Sequence, residues 1–179
     1  MKRTVLVFGT ISGLIAATFM GVSMALMANG SFGDHGGGSM LVGYASMVVA
    51  FTFVFVGIKN YRDKQNNGVV TFGRGFLLGL LISFIGSTFY VVTWGIEYHY
   101  FFPDFMDGYA AASIKNMQAS GMPAAEIEAS TKEMQSMMDS YKNSIVYFTL
   151  LTYMEIFPVG ILVSLISAAV LKRKAAVTS

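Results

Sequence analysis

Four long stretches of this chain carry almost no charge, and nothing else in it constrains the fold as strongly. Thr4 to Gly33, Gly36 to Ile58 and Gly75 to Ile96 contain no Asp, Glu, Lys or Arg, and Asn143 to Leu171 contains only Glu155. A helix crosses a bilayer core in about 20 apolar residues, and only helices and closed barrels satisfy every backbone polar group away from water. We therefore expect an all-α membrane protein with four transmembrane helices, at about residues 5–28, 40–58, 74–98 and 144–171. Residues 1–179 form one domain, with residues 103–143 as an insert between helices 3 and 4. Composition agrees, because 54% hydrophobic against 12% charged residues leaves too little polar surface to wrap a soluble core of this size.

The formal net charge is only +2, but its distribution is informative. Lys2 and Arg3 precede span one, Lys59, Arg62, Lys64 and Arg74 lie between spans two and three, and Lys172, Arg173 and Lys174 follow span four. These are nine of the twelve basic residues. With four spans all three positions share one side, and retention of Lys and Arg in the cytoplasm puts both termini inside and residues 103–143 outside. The clusters are short, juxtamembrane and without a folded domain to present them, so nucleic acid is not an expected partner. Span one resembles a signal peptide in its Lys2–Arg3 start, but its apolar run of about 24 residues exceeds a signal core and reads as a retained helix. The absence of cysteine excludes disulfides, thiolate metal sites and iron–sulfur clusters.

Gly9, Gly13, Ala17, Gly21 and Ala25 recur every fourth residue in span one, as do Gly75, Gly79, Ser83 and Ser87 in span three and Gly160, Ser164 and Ala168 in span four. Lipid offers little hydrophobic drive between helices, so such small-residue grooves mark close packing, either within the chain, in a homo-oligomer or with a membrane-protein partner. Tyr90, Trp94, Tyr98, Tyr100, Phe101 and Phe102 read as an aromatic belt at one water boundary, with Tyr61 at the other. The run Gly36–Gly37–Gly38 beside Asp34 and His35 reads as a short outer loop. In the insert, Met106, Ala110, Ile114 and Met117 share one helical face, Gly121 interrupts, Pro123 suits a helix's first turn, and Ile127, Met134, Met138 and Tyr141 share a second face. An amphipathic helical hairpin follows. Its apolar faces must cover each other, the bundle, lipid or a partner.

Several motifs resemble a known family. Trp94–Gly95–Ile96–Glu97–Tyr98, Pro103–Asp104–Phe105, the Ser120–Gly121 break before Ala125–Glu126–Ile127, and above all Glu155–Ile156–Phe157–Pro158–Val159–Gly160 leading into Leu165–Ile166–Ser167–Ala168 and a basic end are similar to the bacterial membrane family catalogued as domain of unknown function 4199. Met122 departs from that pattern, standing where such proteins carry a Ser-like helix cap. The resemblance implies a bacterial inner (plasma) membrane location and supplies no activity or cofactor.

The candidate polar site is Glu155, Pro158, Glu97 and His99. A carboxylate at a bilayer centre costs about 2.5 to 3.5 kcal/mol on insertion scales, so Glu155 needs a compensating contact. It lies about 16 Å along its helix from Ser144. We expect it buried in its neutral form, bonded to Tyr or Ser on span three or to the Met154 carbonyl, whose usual helical donor Pro158 lacks. It is a structural carboxyl, a ligand or ion site, or a contact to lipid or a partner. Ser87, Thr88, Thr93 and Glu97 with Ser144, Thr149, Thr152 and Glu155 suggest a polar crevice opening outward. Glu97 and His99 lie close in sequence, yet with only His35 as a further imidazole no metal-ligand spacing exists, and no metal or other cofactor is expected. Met24, Met27, Met40, Met134, Met137 and Met138 could ligate Cu(I), but methionine equally fills irregular apolar gaps. No nucleophile elbow or phosphate loop occurs. The expected function is a non-enzymatic structural or interaction component of the plasma membrane, with an oligomeric small-solute or ion transporter as the alternative.

Overall fold

The computed structural model describes residues 1–28 and 37–173, with side chains outside that description at residues 27–28 and 37–42. Asp34, His35 and Gly36, the Met27 and Met40 side chains and Lys174 therefore lie outside the described residues. Six helices follow in order, α1 (Lys2–Ala28), α2 (Gly37–Gln65), α3 (Phe72–Tyr100), α4 (Phe105–Ala119), α5 (Ala124–Asn143) and α6 (Ile145–Leu171). Four of them, α1, α2, α3 and α6, are long and apolar enough to cross a membrane. This is a multi-pass membrane architecture.

Charge ended the second apolar run at Ile58, yet α2 continues to Gln65. Arg62 and Lys64 occupy its last turn, where cations favour the partial negative charge of a helix C-terminus. The helix stops at a left-handed pair, Asn67 (φ 50°) and Gly68 (φ 74°), a conformation that Gly and Asn tolerate best. Gly68 N–H returns to Arg62 O at 2.8 Å and the Asn66 side chain donates to Val69 O at 2.6 Å. Thr71 and Ser144 cap α3 and α6 by accepting from Arg74 N and Tyr147 N. Gly121 (φ 74°) separates α4 from α5. Pro123 precedes the first turn of α5 rather than entering it, and in place of a side-chain cap its carbonyl accepts from Glu126 N and Ile127 N.

Helix α3 is central, packing most extensively against α1 and α6. Helix α2 packs on α1 and α6 from the other side, so α1 and α6 take diagonal corners. The grooves explain the pairings. A β-carbon on Gly13 would lie 2.6 Å from Phe89 Cβ, and one on Gly9 2.8 Å from Ile85 Cβ, so α1 receives α3 side chains into its groove. Between α3 and α6 small residues meet small residues: Gly79 faces Ser164, Ser83 faces Gly160, and Gly75 faces Ala168. Ser83 Oγ and Ser164 Oγ both donate to Gly160 O, at 3.2 and 2.7 Å. Ser12 Oγ donates to Ala50 O at 2.9 Å and joins α1 to α2. The grooves at these positions are filled within the chain.

The three basic segments converge by direct contact. The N-terminal ammonium meets Gln65 Oε1 at 3.3 Å, Gln65 donates to Thr4 Oγ1 at 2.8 Å, and Arg62 Nη1 donates to Leu171 O at 3.3 Å. Val70 and Arg173 exchange backbone hydrogen bonds at 3.1 and 2.8 Å as an isolated antiparallel bridge. This is the basic end of the bundle, and the α4–α5 hairpin stands at the opposite end.

Candidate functional site

The hairpin end of the bundle is closed by aromatic side chains from several helices. Met20 of α1, Trp94 and Tyr98 of α3, Tyr141 of α5 and Phe148 of α6 form one buried cluster, with Phe105 and Met106 of α4 packed against it. Trp94 Nε1 donates to Tyr141 Oη at 2.6 Å, and the Trp94 ring meets Phe105 edge-on. Trp94 and Tyr98 are thus 8% and 4% exposed, a socket for the hairpin instead of the lipid-facing belt expected of them. Tyr100 and Phe101 stay outside the cluster, at 80% and 69% exposed. Tyr61 likewise lies in the core, packed with Ile58 and Val70. The reason is chain reversal: α5 brings Tyr141 back onto α3, and no local pattern in α3 announces it.

Glu155 stands on a side of α6 that the rest of the chain leaves uncovered, and the partner expected on span three is Tyr90, whose Oη donates to Glu155 Oε1 at 3.4 Å. Tyr90 is half-buried and packs against both core clusters. Pro158 sits within an uninterrupted α6.

Glu97 faces another helix. Its Oε1 lies 3.3 Å from where a β-carbon of Gly21 would stand, so the absence of a side chain on α1 makes its room. Its Oε2 is buried without a hydrogen-bond partner, as is Ser87 Oγ. His99 turns away from Glu97: Nδ1 lies 2.9 Å from Gly95 O, and the ring meets Tyr98 and Phe148 edge-on. Proximity in sequence therefore does not become a Glu97–His99 pair. Among the described residues no three His, Cys, Asp or Glu side chains gather as a metal site. Of the candidate methionines, Met24 packs beside the aromatic cluster and Met137 is exposed on α5.

The expected crevice is partly closed. Thr88 Oγ1 lies 2.8 Å from Tyr153 Oη, Thr152 is buried and donates to Phe148 O, and Ser144 caps α6. What stays polar and open is Glu155, with Tyr90 behind it. Sequence reasoning missed Tyr90, Tyr141 and Gly21 as site residues; Tyr141 was visible as the last member of the α5 apolar face, the other two only as belt and groove.

Beyond its base the hairpin is loosely built. Lys142 Nζ bonds both Asp107 oxygens, at 2.7 and 2.8 Å, tying α5 to α4 beside the bundle. Toward the tip a cleft of about 470 Å³ opens between the two helices, lined by residues including Ile114, Ile127, Thr131 and the Glu128–Lys132 ion pair.

Across almost its full length, residues 7–173, the chain matches the family described as a protein of unknown function (DUF4199). The chain belongs to this family. No curated protein and no solved structure is significantly similar to it. Membership thus agrees with the four apolar helices and adds no reaction.

Proposed function

We propose that this DUF4199 member is an integral protein of the bacterial inner membrane, with its basic end and both termini in the cytoplasm. The hairpin is an extracytoplasmic contact element for another membrane protein or a second copy, and the chain has no catalytic role. One observation carries this reading: the hairpin is anchored at its base by Trp94–Tyr141 and Asp107–Lys142 while its far part holds an open, partly apolar cleft around Ile114 and Ile127. Ordering such an element costs backbone entropy that the helices' own sparse contact offsets poorly, and a bound partner would offset it. The segregation of Lys and Arg to the other end supports the orientation.

With no native cysteine, single-cysteine variants report topology cleanly. In intact cells Ser130→Cys should react with a membrane-impermeant maleimide and Gln65→Cys only after lysis; reversed labelling would overturn the orientation. A photo-crosslinking residue at Ile127 should give a discrete adduct that the same residue at exposed Leu162 does not. Equal yields at the two sites would remove the contact role.

The Tyr90–Glu155 pair and the unpartnered Glu97 Oε2 favour a second reading, an oligomeric small-solute or ion transporter with a polar vestibule at this end. In proteoliposomes Glu155→Gln would alter proton or ion flux under that reading and only thermal stability under the first.

A further inference from the structure

The basic end presents Lys2, Arg3, Lys59, Arg62, Lys64, Arg74, Lys172 and Arg173 against one acid, Asp63, among the described residues. Of these cations only Arg62 has a side-chain hydrogen bond or ion pair. Its Nε lies 2.6 Å from Asp63 Oδ1, and its Nη1 holds Leu171 O, so it joins the ends of α2 and α6 and meets the charge of Asp63 at the same time. The Val70–Arg173 bridge fixes the end of α6 against the α2–α3 turn. Lys59, one helical turn before Asp63 on α2, and Arg173, two residues beyond the Leu171 carbonyl that Arg62 holds, are both exposed, which places two cations beside one seam.

Depth decides what such a seam can bind. Lys59 stands six residues before the end of α2, about 9 Å along the axis, on the flank of the bundle. Three residues deeper on each element the surface is apolar and exposed: Val56 is 39% exposed below Lys59, and Val170 is 65% exposed below Arg173. Cations above exposed valines match a molecule with an anionic head and hydrocarbon chains. A free phosphate would use the cations and leave the valines uncovered.

We infer that the α2–α6 seam at the basic end binds an anionic phospholipid, with Lys59 and Arg173 holding its headgroup phosphate and Val56 and Val170 lying against its acyl chains. The site is independent of which way the protein is inserted, because it requires only that this end meet a headgroup layer. Each juxtamembrane cation contributes about fivefold to affinity for anionic lipid, and added salt weakens the contact.

The test uses the full chain purified in neutral detergent, titrated with phosphatidylglycerol, with phosphatidylcholine of the same chains, and with inorganic phosphate. Thermal unfolding and native mass spectrometry read the binding. Phosphatidylglycerol should raise Tm and remain bound, while phosphatidylcholine and inorganic phosphate should not. The double variant Lys59→Gln/Arg173→Gln should lose about 25-fold in lipid affinity, and Lys115→Gln on the hairpin should lose none. Should the double variant fail to fold, Lys59→Gln alone, at an exposed position, should lose about fivefold. Equal retention of phosphatidylcholine, or undiminished phosphatidylglycerol binding by Lys59→Gln, overturns the site; stabilisation by inorganic phosphate alone overturns the lipid as its ligand.

Discussion

Ser83 and Gly160 approach so closely that one added carbon decides whether α3 and α6 can pack: a β-carbon at Gly160 would sit 2.7 Å from that of Ser83. Gly160→Val should therefore destabilise the chain by about 1 to 3 kcal/mol, as overpacking does, and lower Tm in detergent. Gly73→Ala is the control, because no atom lies within 4 Å of its β-carbon and Ala is the better helix former. It should leave Tm unchanged or slightly raised, and a comparable loss in both variants would show that the small residues do not act through contact. Glu155 shows the limit of residue-level reading. Its need for a partner followed from charge and lipid, but that the partner is Tyr90, and that the pair lies open on the flank, followed from how α3 and α6 are turned.

At the scale of elements the hairpin is the part whose stability should depend on pH. Burial holds the Tyr141 phenol above its ordinary value of 10.0, and the hydrogen bond to Asp107 holds the Lys142 ammonium above 10.5. Both groups bind their protons more tightly in the folded chain, so their contributions are complete below about pH 10 and fall as pH rises through the folded values. Lys142 is solvent-exposed and its share is small. Trp94, the one tryptophan, is bonded to Tyr141 and reports this directly. Its emission should be constant from about pH 6 to about pH 9 and change only above 10, and Tyr141→Phe should abolish the change. A transition near neutral pH would place another group at the hairpin base. Amide exchange should also divide the hairpin: at neutral pH residues 112–130, around the open cleft, should exchange before α3 and α6. Equal protection would mean that the hairpin is packed along its whole length.

For the whole molecule, the meeting of three chain segments at the basic end is the feature most open to test. Residues paired across an antiparallel bridge have α-carbons about 4.5 to 5.5 Å apart, within disulfide range. Val70→Cys with Arg173→Cys should accordingly oxidise to a disulfide in purified protein without loss of Tm. A pair that stays reduced under oxidant would separate the end of α6 from the α2–α3 turn and remove the proposed lipid seam with it.

The sequence by itself determined the number of spans, the segregation of charge and the existence of a helical insert, because each depends on properties that run along one segment: hydropathy, basic residues beside it, and a 3.6-residue period. It also marked the small-residue grooves. Which helices those grooves join was decided by tertiary structure, since α1 and α6 carry the same kind of stripe and both turn it to α3. The candidate site divides in the same way. Glu155 was legible as a costly residue in an apolar helix and Glu97 as a member of a polar crevice, whereas the divergence of Glu97 from His99 and the capture of Trp94 by Tyr141 depend on how the folded chain turns its side chains. Solvation acts on each segment as it stands, but packing acts between segments, and only the folded chain specifies which ones meet.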